Sequence, residues 1–208
     1  MQVKTFPLGP LETNCHVAIH NGKAVAVDPG GDPQKVIDFL KEENLTLTDI
    51  LVTHFHFDHL YGITALQEAT GATVHGSGDD AFLLDSEVGK GGMWGFPKVP
   101  AFSFSPIAEG THTFMDLECK VFATPGHSPG SLSFYFTEGN VVFVGDLLFY
   151  RAIGRTDLAG GDFDALKKSV TEKIFALPPE TVVYSGHGPN TSVKDEQINN
   201  PYFSDFQR

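Results

Sequence analysis

Cysteine is nearly absent from these 208 residues: Cys15 and Cys119 are the only two, and they form no CxxC pair. One bridge is the most they could make, so no disulfide framework holds the chain, and the sparing use of thiol points to the cytoplasm. Basic residues are also scarce, 14 Lys and Arg against 26 Asp and Glu, for a formal charge of −12. That field repels phosphate backbones and anionic headgroups, so neither nucleic acid nor a membrane surface is an expected partner. No apolar run is long enough to cross a bilayer, and the opening MQVKTFPLGPLETNCHVAIH lacks a signal-peptide core. Charged residues make up 19% and hydrophobic residues 41%, a globular balance that excludes disorder and coiled coil. A chain of this length buries about 70% of the surface it exposes when unfolded and needs no staple. Residues 1–208 are expected to form one domain. What the chain does have is histidine, nine residues in an acidic background, and their placement is informative.

Hydrophobic patterning predicts strands over 2–8 and 13–19, then a turn at Asn21-Gly22 into a strand from Lys23 to Val27. Asp32 and Pro33 open a helix whose stripe is Val36, Ile37 and Leu40. A buried strand over 49–53 leads at once into HFHFDH, and residues 59–70 are expected to be helical, stopping at Gly71. A strand near 72–75 and a helical piece near 79–85 follow. No period holds from Ser86 to Gly110, a Gly- and Pro-rich stretch carrying Met93, Trp94, Phe96, Phe102 and Phe104. Strands are predicted near 113–123, 131–137, 140–145 and 181–185. Helices are expected from Phe163, capped by Gly161-Asp162, and from Thr191 to about Asn199.

The two halves echo each other. AVAVDPG, a helix, ILVT and His54 in the first half match VVFVGDL, a helix, TVVYSG and His187 in the second. Residues just past the C-terminal ends of parallel strands share one sheet edge. Two such units packed sheet to sheet predict a four-layer αββα sandwich of two pseudo-repeated halves, with Asp28, His54, Asp146 and His187 along one rim.

His54-Phe55-His56-Phe57-Asp58-His59 places three imidazoles and a carboxylate within six residues. Without a cation they would repel one another or remain unsatisfied. Imidazole nitrogen and carboxylate oxygen suit Zn²⁺ and the borderline divalent ions. His127 in ATPGHSPGS and His187 in YSGHGP would each read as a turn residue if alone. Asp146 ends the apolar strand VVFVG, where an unpaired carboxylate would be costly. Beside the first cluster, these three become the missing ligands.

The set HFHFDH, TPGHSPGS, VGDLLF and SGHGP resembles the metallo-β-lactamase superfamily over nearly the whole chain, and IGRTDLAGGD is most similar to its small glyoxalase II-like hydrolases. The resemblance implies one metal on His54, His56 and His127, a second on Asp58, His59 and His187, and Asp146 bridging both. Asp28 would stand behind the ligands and orient one of them, or else serve only as the turn residue before Pro-Gly. It implies two divalent ions, zinc ahead of iron or manganese, and a metal-activated hydroxide, oriented by Asp58, that attacks a thioester such as S-lactoylglutathione or a related acyl substrate.

Three departures limit the likeness. Neither cysteine falls at a ligand position, which argues against a penicillin-degrading enzyme of the type with a cysteine ligand. Only 21 residues follow His187, too few for the C-terminal helical domain of full-length glyoxalase II. Tyr61 replaces a glycine common in the family, which alters the mouth of the site. Arg151, Tyr61, Trp94 and Phe96 are candidate substrate contacts, with Arg151 as a carboxylate clamp; Arg155 reads rather as a partner of Asp157. A mononuclear iron persulfide dioxygenase and a non-catalytic metal-binding module are the alternatives. The oligomeric state stays open.

Overall fold

The computed structural model describes residues 1–93 and 95–203. Two six-stranded sheets lie face to face. The first is built, in spatial order, from β1 (Gln2–Leu8), β2 (Thr13–His20), β3 (Lys23–Val27), β4 (Thr46–Leu51), β5 (Thr73–Gly76) and β6 (Ser105–Pro106). The second comprises β7 (Gly110–Phe114), β8 (Leu117–Ala123), β9 (Leu132–Phe136), β10 (Val141–Gly145), β13 (Val182–Ser185) and β14 (Thr191–Ser192), in that order from one edge to the other. A separate hairpin, β11 (Leu148–Phe149) and β12 (Ala152–Ile153), follows β10. The helices are α1 (Gln34–Glu42), α2 (Ile63–Thr70), α3 (Glu87–Lys90), α4 (Phe163–Ser169) and α5 (Val193–Asn199).

Three apolar layers explain why the sheets stack. Val36 and Leu40 of α1 and Ile63 and Leu66 of α2 pack on one face of the first sheet. Its other face, with Ala18, Val25, Val27 and Leu51, meets Phe134, Phe136 and Phe143 of the second sheet. Leu166 of α4 and Val193 of α5 cover the far side, against Val142, Val144 and Val183. The expected αββα sandwich is what forms. Removing one of the fully buried inter-sheet phenylalanines would cost about 3–5 kcal/mol.

Parallel pairing of β3 with β4, and of β10 with β13, reproduces the expected repeat. Asp28, His54, Asp146 and His187 therefore follow strand ends on one rim. Two backbone bonds stitch the halves there: Leu132 N–H donates to Thr53 C=O at 2.8 Å, and Asn14 N–H to Gly186 C=O at 2.7 Å.

Several boundaries differ from expectation. β4 runs from 46 to 51, and α2 begins at 63 because residues 57–59 form a 3-10 turn and Gly62 N–H is held by Pro29 C=O at 2.7 Å. The strand expected over 113–123 is the β7–β8 hairpin, turned by Met115 and Asp116 in left-handed conformations (φ 53° and 62°). The aperiodic stretch contains α3, a Gly91–Lys98 bridge and β6. α4 continues as a π-helical turn through Ile174. Among the described residues, no helix is long and apolar enough to cross a membrane.

Candidate metal centre

The rim gathers its titratable groups from both sheets. His54 and His56 follow β4, Asp58 and His59 occupy the 3-10 turn, His127 lies between β8 and β9, Asp146 follows β10, and His187 follows β13. Two trios result, His54/His56/His127 and Asp58/His59/His187, each offering donor atoms within 4.8 Å of one another. In the first, the ring centroids are 4.5–4.7 Å apart and His56 turns Nδ1 to His127 Nε2 at 2.8 Å. In the second, Asp58 Oδ2 lies 3.2 Å from His187 Nε2 and 3.6 Å from His59 Nε2. Asp146 stands between them. Its Oδ1 is 3.4 Å from His59 Nε2, and its Oδ2 is 3.7 Å from His127 Nε2 and 3.6 Å from His187 Nε2.

The hydrogen bonds behind the rings set their tautomers. His127 Nδ1–H donates to the Arg155 carbonyl at 2.8 Å, and His187 Nδ1–H to the Leu11 carbonyl at 3.1 Å. Asp28 accepts from His59 Nδ1–H at 2.9 Å and from the Thr53 hydroxyl at 2.6 Å; that hydroxyl in turn accepts from His54 Nδ1–H at 3.0 Å. Four imidazoles are thereby left with Nε2 as a lone-pair donor. Asp28 also groups with His54 and His59, but its Oδ1 takes Thr53 N–H and its Oδ2 takes His59 and Thr53. Asp28 thus braces His59 directly and His54 through Thr53, in addition to its place in the turn.

The residues present fit a metal. His54 Nε2, His56 Nε2, His59 Nε2 and Asp146 Oδ1 are buried without a hydrogen-bond partner among the described residues. Such orphans are expensive unless something satisfies them. The nitrogen and oxygen donor set suits zinc, iron or manganese, and the described ligands include no thiolate.

His54 and His56 are pushed one way, His59 and His187 the other. Burial, then the neighbouring imidazoles, pushes His54 well down, and burial with His127 takes His56 down to about 3. Burial opposes charge on His59 too, but Asp58, Asp146 and Asp28 outweigh it and raise that ring well above 6.5. His187 is raised against burial chiefly by its bond to Asp58. Burial alone would raise Asp58 and Asp146; the imidazoles, His59 first, hold both below the usual carboxylate range.

A cavity of about 350 Å³ opens over the centre, with His56, Asp58, His127, Asp146 and His187 at its floor and Leu11, Phe57, Val88, Phe96 and Leu158 as apolar walls. Phe96 is thus where the sequence placed it, 5.2 Å from Phe57 between ring centroids. Tyr61 does not line this cavity; its hydroxyl donates to the Pro97 carbonyl at 2.9 Å, beside Phe96. Trp94 lies outside the described residues. Arg151 is not brought to the cavity: its guanidinium is held 2.8 Å from Asp195 and 2.9 Å from the buried Glu196 and stacks on Tyr150. The arginine at the cavity is Arg155, which also makes the expected pair with Asp157, two bonds of 2.7 Å.

Sequence reasoning missed Thr13, Asn14 and Asp80. Thr13 donates to Asp58 Oδ2 at 3.2 Å, and Asn14 Nδ2 holds the Ser185 and Gly188 carbonyls at 3.0 and 2.8 Å. Gly186 is placed where any Cβ would strike Asp146 Oδ1.

Comparison with known proteins bears on this geometry. The family model described as metallo-beta-lactamase superfamily matches residues 8–187. The chain is 36% identical to the probable metallo-hydrolase YqgX of Bacillus subtilis, covering 99% of each chain. It is 32% identical to the hydroxyacylglutathione hydrolase GloC of Haemophilus influenzae, over 98% of this chain and 99% of that one. Among solved structures, the BLEG-1 B3 metallo-beta-lactamase superposes with a TM-score of 0.92 at 40% identity, covering 97% of this chain and 99% of that one. TTHA1623 in a di-iron-bound form gives 0.88 at 37% identity, over 96% and 100%. ETHE1 from Myxococcus xanthus gives 0.79 at 31% identity, over 98% and 85%.

Proposed function

The chain belongs to the metallo-beta-lactamase superfamily, and from that premise we propose a hydrolase that carries two divalent ions and cleaves a thioester such as S-lactoylglutathione or a related acyl compound. The observation that carries this reading is the position of Asp146 between two trios of closely spaced donors, with its own Oδ1 buried and unpartnered among the described residues. In it, His54, His56 and His127 hold one ion, Asp58, His59 and His187 the other, and Asp146 reaches both. Zinc is the first choice, and the di-iron form of TTHA1623 makes iron the next. Ions bound there would supply an activated water and positive charge against a developing oxyanion.

The chain's own groups do the rest. Asp58 lines the cavity while Thr13 fixes its Oδ2, so it is placed to accept a hydrogen bond from the attacking water and aim it. Asp28 and the Arg155 and Leu11 carbonyls keep the imidazoles in ligand orientation. The apolar walls shed water and suit an acyl chain. Arg155, not Arg151, is the cation that an anionic substrate would meet, in competition with Asp157.

Likeness to GloC supports the thioester, and likeness to ETHE1 favours the second reading, an iron persulfide dioxygenase. Likeness to a B3 metallo-beta-lactamase weighs against excluding lactams on the missing cysteine. The test is an oxygen-free assay of the zinc- and iron-loaded chain with S-lactoylglutathione, alongside a chromogenic lactam, and a parallel aerobic assay of the iron-loaded chain with a persulfide. Free thiol appearing in step with acid is expected. Oxygen uptake with a persulfide and no thioester cleavage would select the dioxygenase.

A further inference from the structure

Asp80 lies in the 3-10 turn of residues 78–85, outside every segment that supplies a ligand, and its side chain is fully buried. Its Oδ2 accepts Phe55 N–H at 3.1 Å and the Ser128 hydroxyl at 2.7 Å, and its Oδ1 accepts Gly130 N–H at 2.6 Å. Phe55 separates His54 from His56, and Ser128 follows His127. One carboxylate therefore fastens both loops that present the three-imidazole trio. The other trio is anchored differently, through Thr13 and Asn14 at the start of β2.

The fit is close. A Cβ at Gly130 would come within 2.6 Å of Asp80 N and 2.7 Å of its Oδ1, so the loop approaches the carboxylate as only glycine allows. Three donors converge on two oxygens of an acceptor-only group. Charge-assisted bonds of this kind are short and directional, and no neutral side chain of that size could accept all three. A carboxylate is costly to bury, and it is kept here with no cationic side chain bonded to it among the described residues.

We propose that Asp80 is a positioning residue for one metal site only: it sets the spacing of His54, His56 and His127, and through them that site's affinity, without touching the ion. The inference rests on the two-ion reading above. Partners behind metal ligands tune affinity by about 10–100-fold. Asp80→Asn keeps the shape but replaces an acceptor with a donor, so at least one of the three bonds becomes a clash of two N–H or O–H groups.

The experiment is a stepwise Co²⁺ titration of the metal-free chain, followed by visible absorption, with His127→Ala and His187→Ala as references for loss of each site. Asp80→Asn is expected to weaken, by about 10–100-fold, the site missing in His127→Ala, and to leave the site missing in His187→Ala within about twofold of wild type. Ser128→Ala removes one of three contacts and should shift the same site by less. Unchanged constants, or equal weakening of both sites, would overturn the role of Asp80. If Asp80→Asn does not fold, Ser128→Ala decides by the same pattern. A wild type that takes up cobalt at both sites but cleaves no thioester defeats the hydrolase reading and leaves this test standing; one that takes up none defeats both.

Discussion

The two halves of the metal centre solve the same problem with opposite chemistry. His54, His56 and His127 form a deeply buried, all-imidazole trio, each at most 4% exposed, with His54 and His56 pushed strongly towards the unprotonated form. Asp58, His59 and His187 form a charged trio, in which carboxylates pull His59 and His187 the other way and His187 keeps 29% of its side chain exposed. The all-imidazole trio depends on loops clipped from behind by Asp80 and the Arg155 carbonyl. The charged trio leans on β2, and two residues of each trio reach the cavity floor. Asp146 lies between the two, within 3.7 Å of His59, His127 and His187.

Removing the shared residue should have the largest effect. Asp146→Ala removes the carboxylate between the two trios, so both ions should weaken and thioester turnover should fall by about 10²–10³-fold, the range for losing positive charge that stabilises an oxyanion. Retention of both ions by mass spectrometry of the native chain would mean that the trios are independent. Asp58→Ala acts on the charged trio alone. It should keep one ion on the three imidazoles and lose about 10²–10⁴-fold in kcat, as expected when a group that aims the attacking water is removed. Near-normal kcat would place that task elsewhere.

Acid should also loosen the support of the charged side through His16, which bonds the end of β13. His16 Nε2–H donates to the Ser185 carbonyl at 3.0 Å, and its Nδ1 accepts from Thr5 at 2.9 Å. Burial takes its pKa down to about 4, against 6.5 ordinarily. Between those values the unfolded chain binds a proton that the folded chain refuses. This contribution is whole above pH 6.5, falls as pH drops through the window, and levels off below 4, for about 3 kcal/mol in total. Urea unfolding from pH 7.5 to 4 should show a shallower loss in His16→Gln than in wild type; parallel curves would clear His16 of this role.

The smallest effects belong to the cavity wall. Phe96→Ala should raise KM for an acyl thioester roughly tenfold, the scale of one lost apolar contact surface, with metal content unchanged. Arg155→Ala should matter for carboxylate-bearing substrates, and Arg151→Ala should not. An Arg151 effect confined to KM would return the clamp to that residue.

The candidate ligand set was legible because chemistry at strand ends writes itself densely: HFHFDH is one segment, and Asp146 and His187 each close an apolar strand. The sandwich followed from the repeated strand–helix–strand pattern. The supports were not legible. Asp80 meets partners 25 and 50 positions away, so no local spacing marks it among other acids. The two arginines show the same limit. Arg151 is nearer to Asp146 in sequence, but its left-handed backbone (φ 60°) turns it onto α5, while Arg155 reaches the cavity. The β7–β8 turn escaped notice because Met115 and Asp116 adopt left-handed conformations without glycine.

The most direct test of a two-part centre is metal stoichiometry. The chain, freed of metal and reloaded in excess zinc, then desalted, should carry two ions, while His187→Ala should carry one and keep the three-imidazole site. A wild-type chain that never exceeds one ion, with His187→Ala indistinguishable from it, would contradict the account.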